Sequence, residues 1–220
     1  MKKLNRNKPV GAFTLFNQSY NLIRDNIQIY ALVYAVPLLL TVLSPMQEKD
    51  LSISSKTTGN ADSALIAIVA IVSLVLAVMA IGLNISTAKH IKTSFSELWE
   101  FARKYTFRLL GLWIITGLII LGGLILLIVP GLIFLQRYIL ASYLMVDEDL
   151  GIIESLKKSA TLSKPFPGAI WGLIGVSVLI SIPSSPNFGI YGAIVSGLLG
   201  IAYAVAPALR YFELKKLSKA

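Results

Sequence analysis

The sequence alternates between long apolar runs and shorter segments that hold most of its charged residues. An α-helix rises 1.5 Å per residue, so crossing a hydrocarbon core about 30 Å thick takes about 20 apolar residues. The runs that approach this length predict six membrane-spanning helices. Their residues are 27–43, 64–88, 109–129, 131–146, 168–182 and 189–209.

The third run meets the fourth at Pro130 and Gly131. The two runs together are too long for one crossing, and a Pro-Gly dipeptide is a turn signal. We therefore expect a tight hairpin with its structural turn at Pro130 and Gly131. The alternative is a re-entrant element, in which backbone that leaves the helix must be satisfied inside the protein.

Amphipathic segments precede the first, third and fifth runs, with apolar residues at helical spacing. They begin near Phe13, Phe95 and Ile153, and Ser94 with Glu97 forms a capping-box pattern before the second segment. The pattern predicts three interfacial helices on one side of the membrane. The chain then consists of three units, each an interfacial helix followed by a hairpin of spans, at about 12–63, 94–146 and 152–209 within one membrane domain, 1–220.

The composition agrees with an all-α, polytopic membrane bundle. Hydrophobic residues make up 55% of the chain and charged residues 14%, and the mean hydropathy is +0.74. Soluble domains carry about 25% charged residues, so these values exclude an ordinary soluble enzyme or binding domain. The chain has no cysteine, which excludes a disulfide framework.

The net charge of +9 is concentrated on one side of the predicted spans, where 17 of the 20 basic residues lie. Only Lys49 and Lys56 fall on the other side, and Arg137 falls inside a span. Positive residues stay in the cytoplasm, so we expect a multi-pass inner-membrane protein with both termini cytoplasmic. The basic N-terminal segment lacks a signal-peptide cleavage pattern. Topology accounts for the excess charge without nucleic-acid binding.

Small residues recur at every fourth position of the sixth run and form one narrow stripe. Such stripes let transmembrane helices approach closely. The stripe predicts helix packing within the bundle, with a homo-oligomer or a membrane protein partner as the alternative. Its members are Gly192, Ser196, Gly200, Ala204 and Ala208.

Arg137 is the one charged residue deep inside a predicted span. A charge there costs about 2.5 to 3.5 kcal/mol on insertion scales and faces the bundle interior or a headgroup. Gln136 could share a polar pocket with it, and Lys157 and Lys158 follow in the next basic segment. These four residues are the candidate ligand or lipid-headgroup site, with a purely structural role for Arg137 as the alternative.

Other polar residues offer little chemistry. Asp147, Glu148 and Asp149 could hold a cation, but we expect them to border the next helix, with Asp149 as its N-cap. His90 is the sole histidine, so it gives no metal site. Nucleophile-elbow, Walker, HExxH and Rossmann patterns are absent. We therefore expect neither an enzyme nor a cofactor.

Residues 124–171 resemble a known family. Five features carry the resemblance: Pro130 with Gly131, Arg137 with Tyr138, the acidic Asp147 with Glu148, the segment 151–159, and a lysine before Trp171. Together they are similar to the YciC-like family of uncharacterised bacterial multi-pass proteins. The resemblance also extends to the membrane domain of some glycerophosphodiester phosphodiesterases. It implies a six-span fold and no activity of its own.

The leading functional hypothesis is a non-catalytic envelope protein that binds anionic phospholipid of the bilayer or a membrane partner. The buried arginine and the basic residues at one leaflet motivate it. The alternative is a small transporter or channel with a polar path near Arg137.

Overall fold

The computed structural model describes residues 9–50 and 60–218, with side chains described except at 40–50, 60–66 and 186. Within these residues the chain is helical and contains no strand. The predicted exterior loop around Lys56 and the basic residues before Pro9 lie outside the described residues. The helices are α1 Ala12–Arg24, α2 Ile27–Asp50, α3 Asn60–Ala88, α4 Phe95–Leu126, α5 Ile128–Tyr138, α6 Ala141–Asp147, α7 Ile152–Ser163, α8 Pro167–Ser181, α9 Gly189–Ala202 and α10 Ala206–Leu217.

Among the described residues, five segments are long and apolar enough to cross a membrane, which confirms a helical bundle and is compatible with an integral membrane protein. They are Ala67–Ala88, Phe95–Leu126, Ile128–Asp147, Pro167–Ser184 and Gly189–Leu217. The described side chains of α2 form a shorter apolar helix, Ile27–Leu39.

The predicted interfacial helix at Phe95 is not a separate element. It continues without interruption into the third run as α4, which has 32 residues, because no glycine or proline breaks the chain between Phe95 and Leu110. The predicted capping box is confirmed: the Glu97 N–H donates to Ser94 Oγ at 3.4 Å, and the Ser94 N–H donates to Glu97 Oε2 at 2.8 Å. These bonds satisfy N–H groups that have no partner inside the helix.

The hairpin between α4 and α5 is present, but the predicted turn position is wrong. The chain turns at Leu127, whose backbone is extended (φ −163°, ψ 142°), and Pro130 and Gly131 lie in the first turn of α5. Proline fits there because first-turn N–H groups have no helical acceptor. Gly123 and Gly131 allow the close approach of the two helices: a Cβ on Gly131 would lie 2.8 Å from the Leu124 backbone nitrogen.

The predicted sixth span is also interrupted. It divides into α9 and α10 around Tyr203 to Val205. Pro207 explains the break, because a proline ring clashes with the carbonyl four residues earlier and removes a helical N–H. The small-residue stripe is therefore not one straight face: Gly192 and Ser196 lie on α9, Ala204 lies in the break and Ala208 on α10.

Three hydrophobic clusters form the core of the part of the chain that the structure describes. The largest joins α2, α3 and α4 through buried residues such as Tyr30, Met79 and Leu109. The second surrounds Leu140 and Tyr211, and the third joins α1 to α8 through Leu15 and Leu173. Around α4 and α5 the apolar surface stays open, as at Ile125, which is 84% exposed. That distribution fits a bundle whose outer surface contacts lipid.

Candidate functional site

Charged side chains of α4, α6, α7 and α10, and of the residues directly after α3 and α6, meet at one end of the bundle, which we call the charged end. Asp147, the last residue of α6, lies at its centre with a side chain only 6% exposed. Lys89 approaches Asp147 Oδ1 at 2.6 Å, Lys215 binds Oδ2, and the Tyr211 hydroxyl donates to Oδ2 at 2.6 Å. One carboxylate thus ties the ends of α3 and α10 to α6.

The two neighbouring carboxylates reach other helices. Glu148 pairs with Lys158 of α7 and, at 2.8 Å, with Lys215. Asp149 pairs with Arg108 of α4 and accepts a hydrogen bond from the Tyr105 hydroxyl at 3.1 Å. The carboxylates of all three acidic residues are therefore paired with Lys or Arg side chains of the protein.

The predicted N-cap role of Asp149 is wrong. The N-cap of α7 is Gly151, and Asp149 instead has a left-handed backbone (φ 50°), a conformation that aspartate tolerates better than most residues. This turn points the carboxylate back to α4. Among the described residues no cluster of His, Asp or Glu could hold a metal ion.

These ion pairs lower the pKa of the half-buried Glu148 and of the exposed Asp149. Burial raises the pKa of Glu148, but hydrogen bonds from Lys158 and Lys215 outweigh that effect and leave it below its ordinary value. Hydrogen bonds from Arg108 and Tyr105 hold the pKa of Asp149 below its ordinary value. Both side chains are therefore ionised at neutral pH.

A second buried ion pair joins the two ends of the described chain. Arg210 of α10 is 1% exposed. Its guanidinium binds Glu213 and donates to the Val10 carbonyl at 2.9 Å, while Glu213 accepts the Val10 N–H. The sequence does not predict this pair, because Arg210 follows the last apolar run and reads there as one of the basic residues that set the topology. The i,i+3 spacing of Arg210 and Glu213 was the available hint.

Arg137 lies in the last turn of α5, where a cation is favourable to the helix dipole. The Ser159 hydroxyl of α7 donates to the Arg137 carbonyl at 2.7 Å. The Arg137 side chain is half-buried and makes neither a hydrogen bond nor an ion pair with any described residue. Gln136 is buried (8% exposed) and its carboxamide likewise has no partner in the described part of the chain.

The other predicted site residues lie on α7. Lys158 is engaged by Glu148, and Lys157 is exposed. Contact between α5 and α7 comes from Ser159 and the Arg137 backbone, so the structure brings the two helices together but directs Lys158 elsewhere.

A comparison of the described cations singles out Arg137. Four basic residues in the described ranges have side chains that are not exposed: Arg108, Arg137, Arg210 and Lys215. Three of them pair with Asp149, Glu213 or Asp147. Arg137 alone of these four has no acidic partner, and a half-buried charge without a partner is costly.

A buried polar network connects α2 and α3. The Tyr30 hydroxyl lies 3.1 Å from Asn84 Oδ1 and 3.0 Å from Thr87 Oγ1, and Asn84 Nδ2 lies 3.4 Å from the Tyr34 hydroxyl. This network was not predicted from the sequence. Its signal was an asparagine and a threonine at helical spacing inside an otherwise apolar run.

The predicted packing residues have separate surroundings. A Cβ on Gly192 would collide with the Pro183 carbonyl, and the Ser196 hydroxyl donates to the Ile180 carbonyl at 2.7 Å. Both residues therefore pack within the chain. Gly200 has open space at its Cβ position.

Comparisons of the chain with known protein families, characterised proteins and solved structures find no match.

Proposed function

We propose that this chain is a non-catalytic, six-span protein of the bacterial inner membrane, with the charged end in the cytoplasm. The five long apolar segments support the membrane assignment. The sixth span would be α2, and α1 and α7 would lie at the membrane surface. The orientation rests on the 17 basic residues on one side.

The proposed activity is binding of an anionic phospholipid headgroup at Arg137. The observation that supports it is the half-buried guanidinium without a partner in the described chain, beside three comparable cations that are all paired. A lipid phosphate supplies the missing anion, because a guanidinium matches its oxygens in bidentate geometry.

The test measures lipid preference directly. Purified protein in detergent micelles is titrated with phosphatidylglycerol and with phosphatidylcholine, and bound lipid is counted by native mass spectrometry. Arg137→Gln should weaken phosphatidylglycerol binding about tenfold, since a charged hydrogen-bonded pair contributes about 1.5 to 3 kcal/mol. Arg137→Lys should retain part of the preference.

Arg103→Gln is the matched control, because Arg103 is an exposed arginine on α4 and the substitution removes the same charge. It should leave binding nearly unchanged. Equal losses in both variants would mean that diffuse charge attracts the lipid, and an unchanged Arg137→Gln would overturn the proposal.

We also propose that the chain is a member of the YciC-like family. The supporting residues, 124–171, run from the end of α4 to the start of α8 and include Arg137 and the acidic residues of the charged end. Solved structures of family members that placed the same carboxylate pairs at one end of the bundle would strengthen this assignment.

A further inference from the structure

A cleft of about 480 Å³ opens between α2 and α3, away from Arg137. Its volume lies in the range of small-molecule sites, about 300 to 1,000 Å³. Tyr34 and Asn84 border one end, and Leu76, Ala77, Ala80 and Ser73 line the wall on α3. The two alanines leave the space that larger apolar residues would fill.

The polarity of the cleft changes along the helix axis. Asn84 lies one turn before the end of α3, on the side that the proposed topology places near the cytoplasm. From Asn84 to Ser73 the wall runs about 16 Å toward the membrane interior at 1.5 Å per residue, and the side chains between are aliphatic. A ligand with one polar group and a long apolar chain matches this arrangement.

The hydrogen bonds leave one donor free at the polar end. The Tyr30 hydroxyl has two acceptors within reach, Asn84 Oδ1 and Thr87 Oγ1. The Tyr34 oxygen receives only a long contact of 3.4 Å from Asn84 Nδ2, and the Tyr34 proton has no acceptor among the described residues. Charged side chains are absent from the described lining, so the cleft favours a neutral acceptor.

We propose that this cleft holds one acyl chain of a membrane glycerolipid, whose ester carbonyl accepts a hydrogen bond from the Tyr34 hydroxyl. A phosphate or a free carboxylate would enter an uncharged cleft and pay the cost of losing its hydration. An ester carbonyl needs only one donor, and the aliphatic wall accommodates the chain. The site is independent of the headgroup site at Arg137.

The test uses phosphatidylcholine with a photoreactive diazirine in one acyl chain, reconstituted with the protein in nanodiscs. Illumination should label α3 between residues 73 and 81. Ala77→Trp should suppress this label severalfold, because Ala77 lines the cleft and the indole would occupy it. Ala67→Trp is the control: Ala67 is exposed on the same helix outside the cleft and should leave the label unchanged.

The Tyr34 hydroxyl is tested with ester-linked and ether-linked forms of the same lipid. Tyr34→Phe should reduce labelling by the ester lipid about fivefold, the value of one net hydrogen bond of about 1 kcal/mol. The ether lipid lacks the carbonyl. It should therefore label the wild type and Tyr34→Phe equally weakly. All variants are compared as folded, monodisperse protein.

Three results would overturn the proposal: equal labelling of wild type by the two lipids, no effect of Ala77→Trp, or a dimer whose second copy covers the cleft. Arg137→Gln should leave this labelling unchanged. Failure here therefore does not bear on the headgroup proposal, and failure of the headgroup proposal does not bear on this cleft.

Discussion

The Tyr211 hydroxyl of α10 donates a hydrogen bond of 2.6 Å to the Asp147 carboxylate at the end of α6. The same carboxylate pairs with Lys89 and Lys215. Three elements that are distant in sequence therefore meet on one acidic side chain. This arrangement makes Asp147 a structural residue of the charged end and leaves Arg137 as the candidate for external anions.

Asp147→Asn should destabilise the protein substantially. The amide keeps an acceptor for Tyr211, but Lys89 loses its ion pair with a side chain that is 6% exposed, and Lys215 keeps only its ion pair with Glu148. Loss of the charged hydrogen bonds to this buried carboxylate costs about 1.5 to 3 kcal/mol. Thermal unfolding in detergent should show the lower Tm, whereas Asp25→Asn, at an exposed residue, should change it little. Equal Tm values for wild type and Asp147→Asn would contradict the structural role.

Acid should also destabilise the charged end. The folded pKa values of Glu148 and Asp149 lie below their ordinary values of 4.5 and 3.8. The stability they contribute is therefore present above those ordinary values and is lost as the pH falls through the lower folded pKa values. Tm should stay level from pH 7 to about pH 5 and fall below about pH 4.

Glu148→Gln provides the control for this pH dependence. It should lower Tm at pH 7 and reduce the further loss in acid, because one of the titrating groups is gone. A Tm that rises on acidification would contradict this prediction, because it would mean that the ionised carboxylates do not stabilise the fold.

The apolar runs predict the helical membrane bundle, and Ser94 with Glu97 predicts the start of α4. Hydropathy does not place the helix breaks, because Leu127 is as apolar as its neighbours. The chain turns at Leu127 because Gly123 and Gly131 let α4 and α5 meet there. Proline position was informative only in part: Pro207 breaks a helix, while Pro130 lies in a first turn that tolerates it.

The sequence identifies the central residue of the candidate site but not the contacts around it. Arg137 stands out in the sequence as a charge inside an apolar run. The sequence does not show that Arg210 has partners and Arg137 has none. Arg210 binds Val10, which is 200 residues away in the chain, and Glu213, whose i,i+3 spacing does not by itself prove an ion pair. The Tyr34 and Asn84 contact joins residues of two different helices, so periodicity along one helix could not show it.

Glu213→Ala should release the N-terminal end of the described chain. The substitution removes the acceptor of the Val10 N–H and leaves Arg210, 1% exposed, without its carboxylate. Hydrogen exchange followed by mass spectrometry should show faster exchange at Val10, with a cost of about 3 to 5 kcal/mol in stability. Glu154→Ala, at an exposed residue of α7, should leave Val10 protected. Unchanged exchange at Val10 in Glu213→Ala would mean that Arg210 and Glu213 do not hold the N-terminal end of the described chain.

Gly131→Ala should loosen the hairpin between α4 and α5. The added Cβ would lie 2.8 Å from the Leu124 backbone nitrogen, and backbone cannot move aside as a flexible side chain can. Overpacking of this kind costs about 1 to 3 kcal/mol.

Gly117→Ala is the control, because Gly117 lies on the same helix pair with open space at its Cβ position. It should be neutral or slightly stabilising, since alanine favours a helix over glycine by about 1 kcal/mol. Unfolding in mixed detergent and sodium dodecyl sulfate measures both variants. Equal stability of the two would mean that the glycine contact at Leu124 does not hold the hairpin, and that the turn at Leu127 alone sets its geometry.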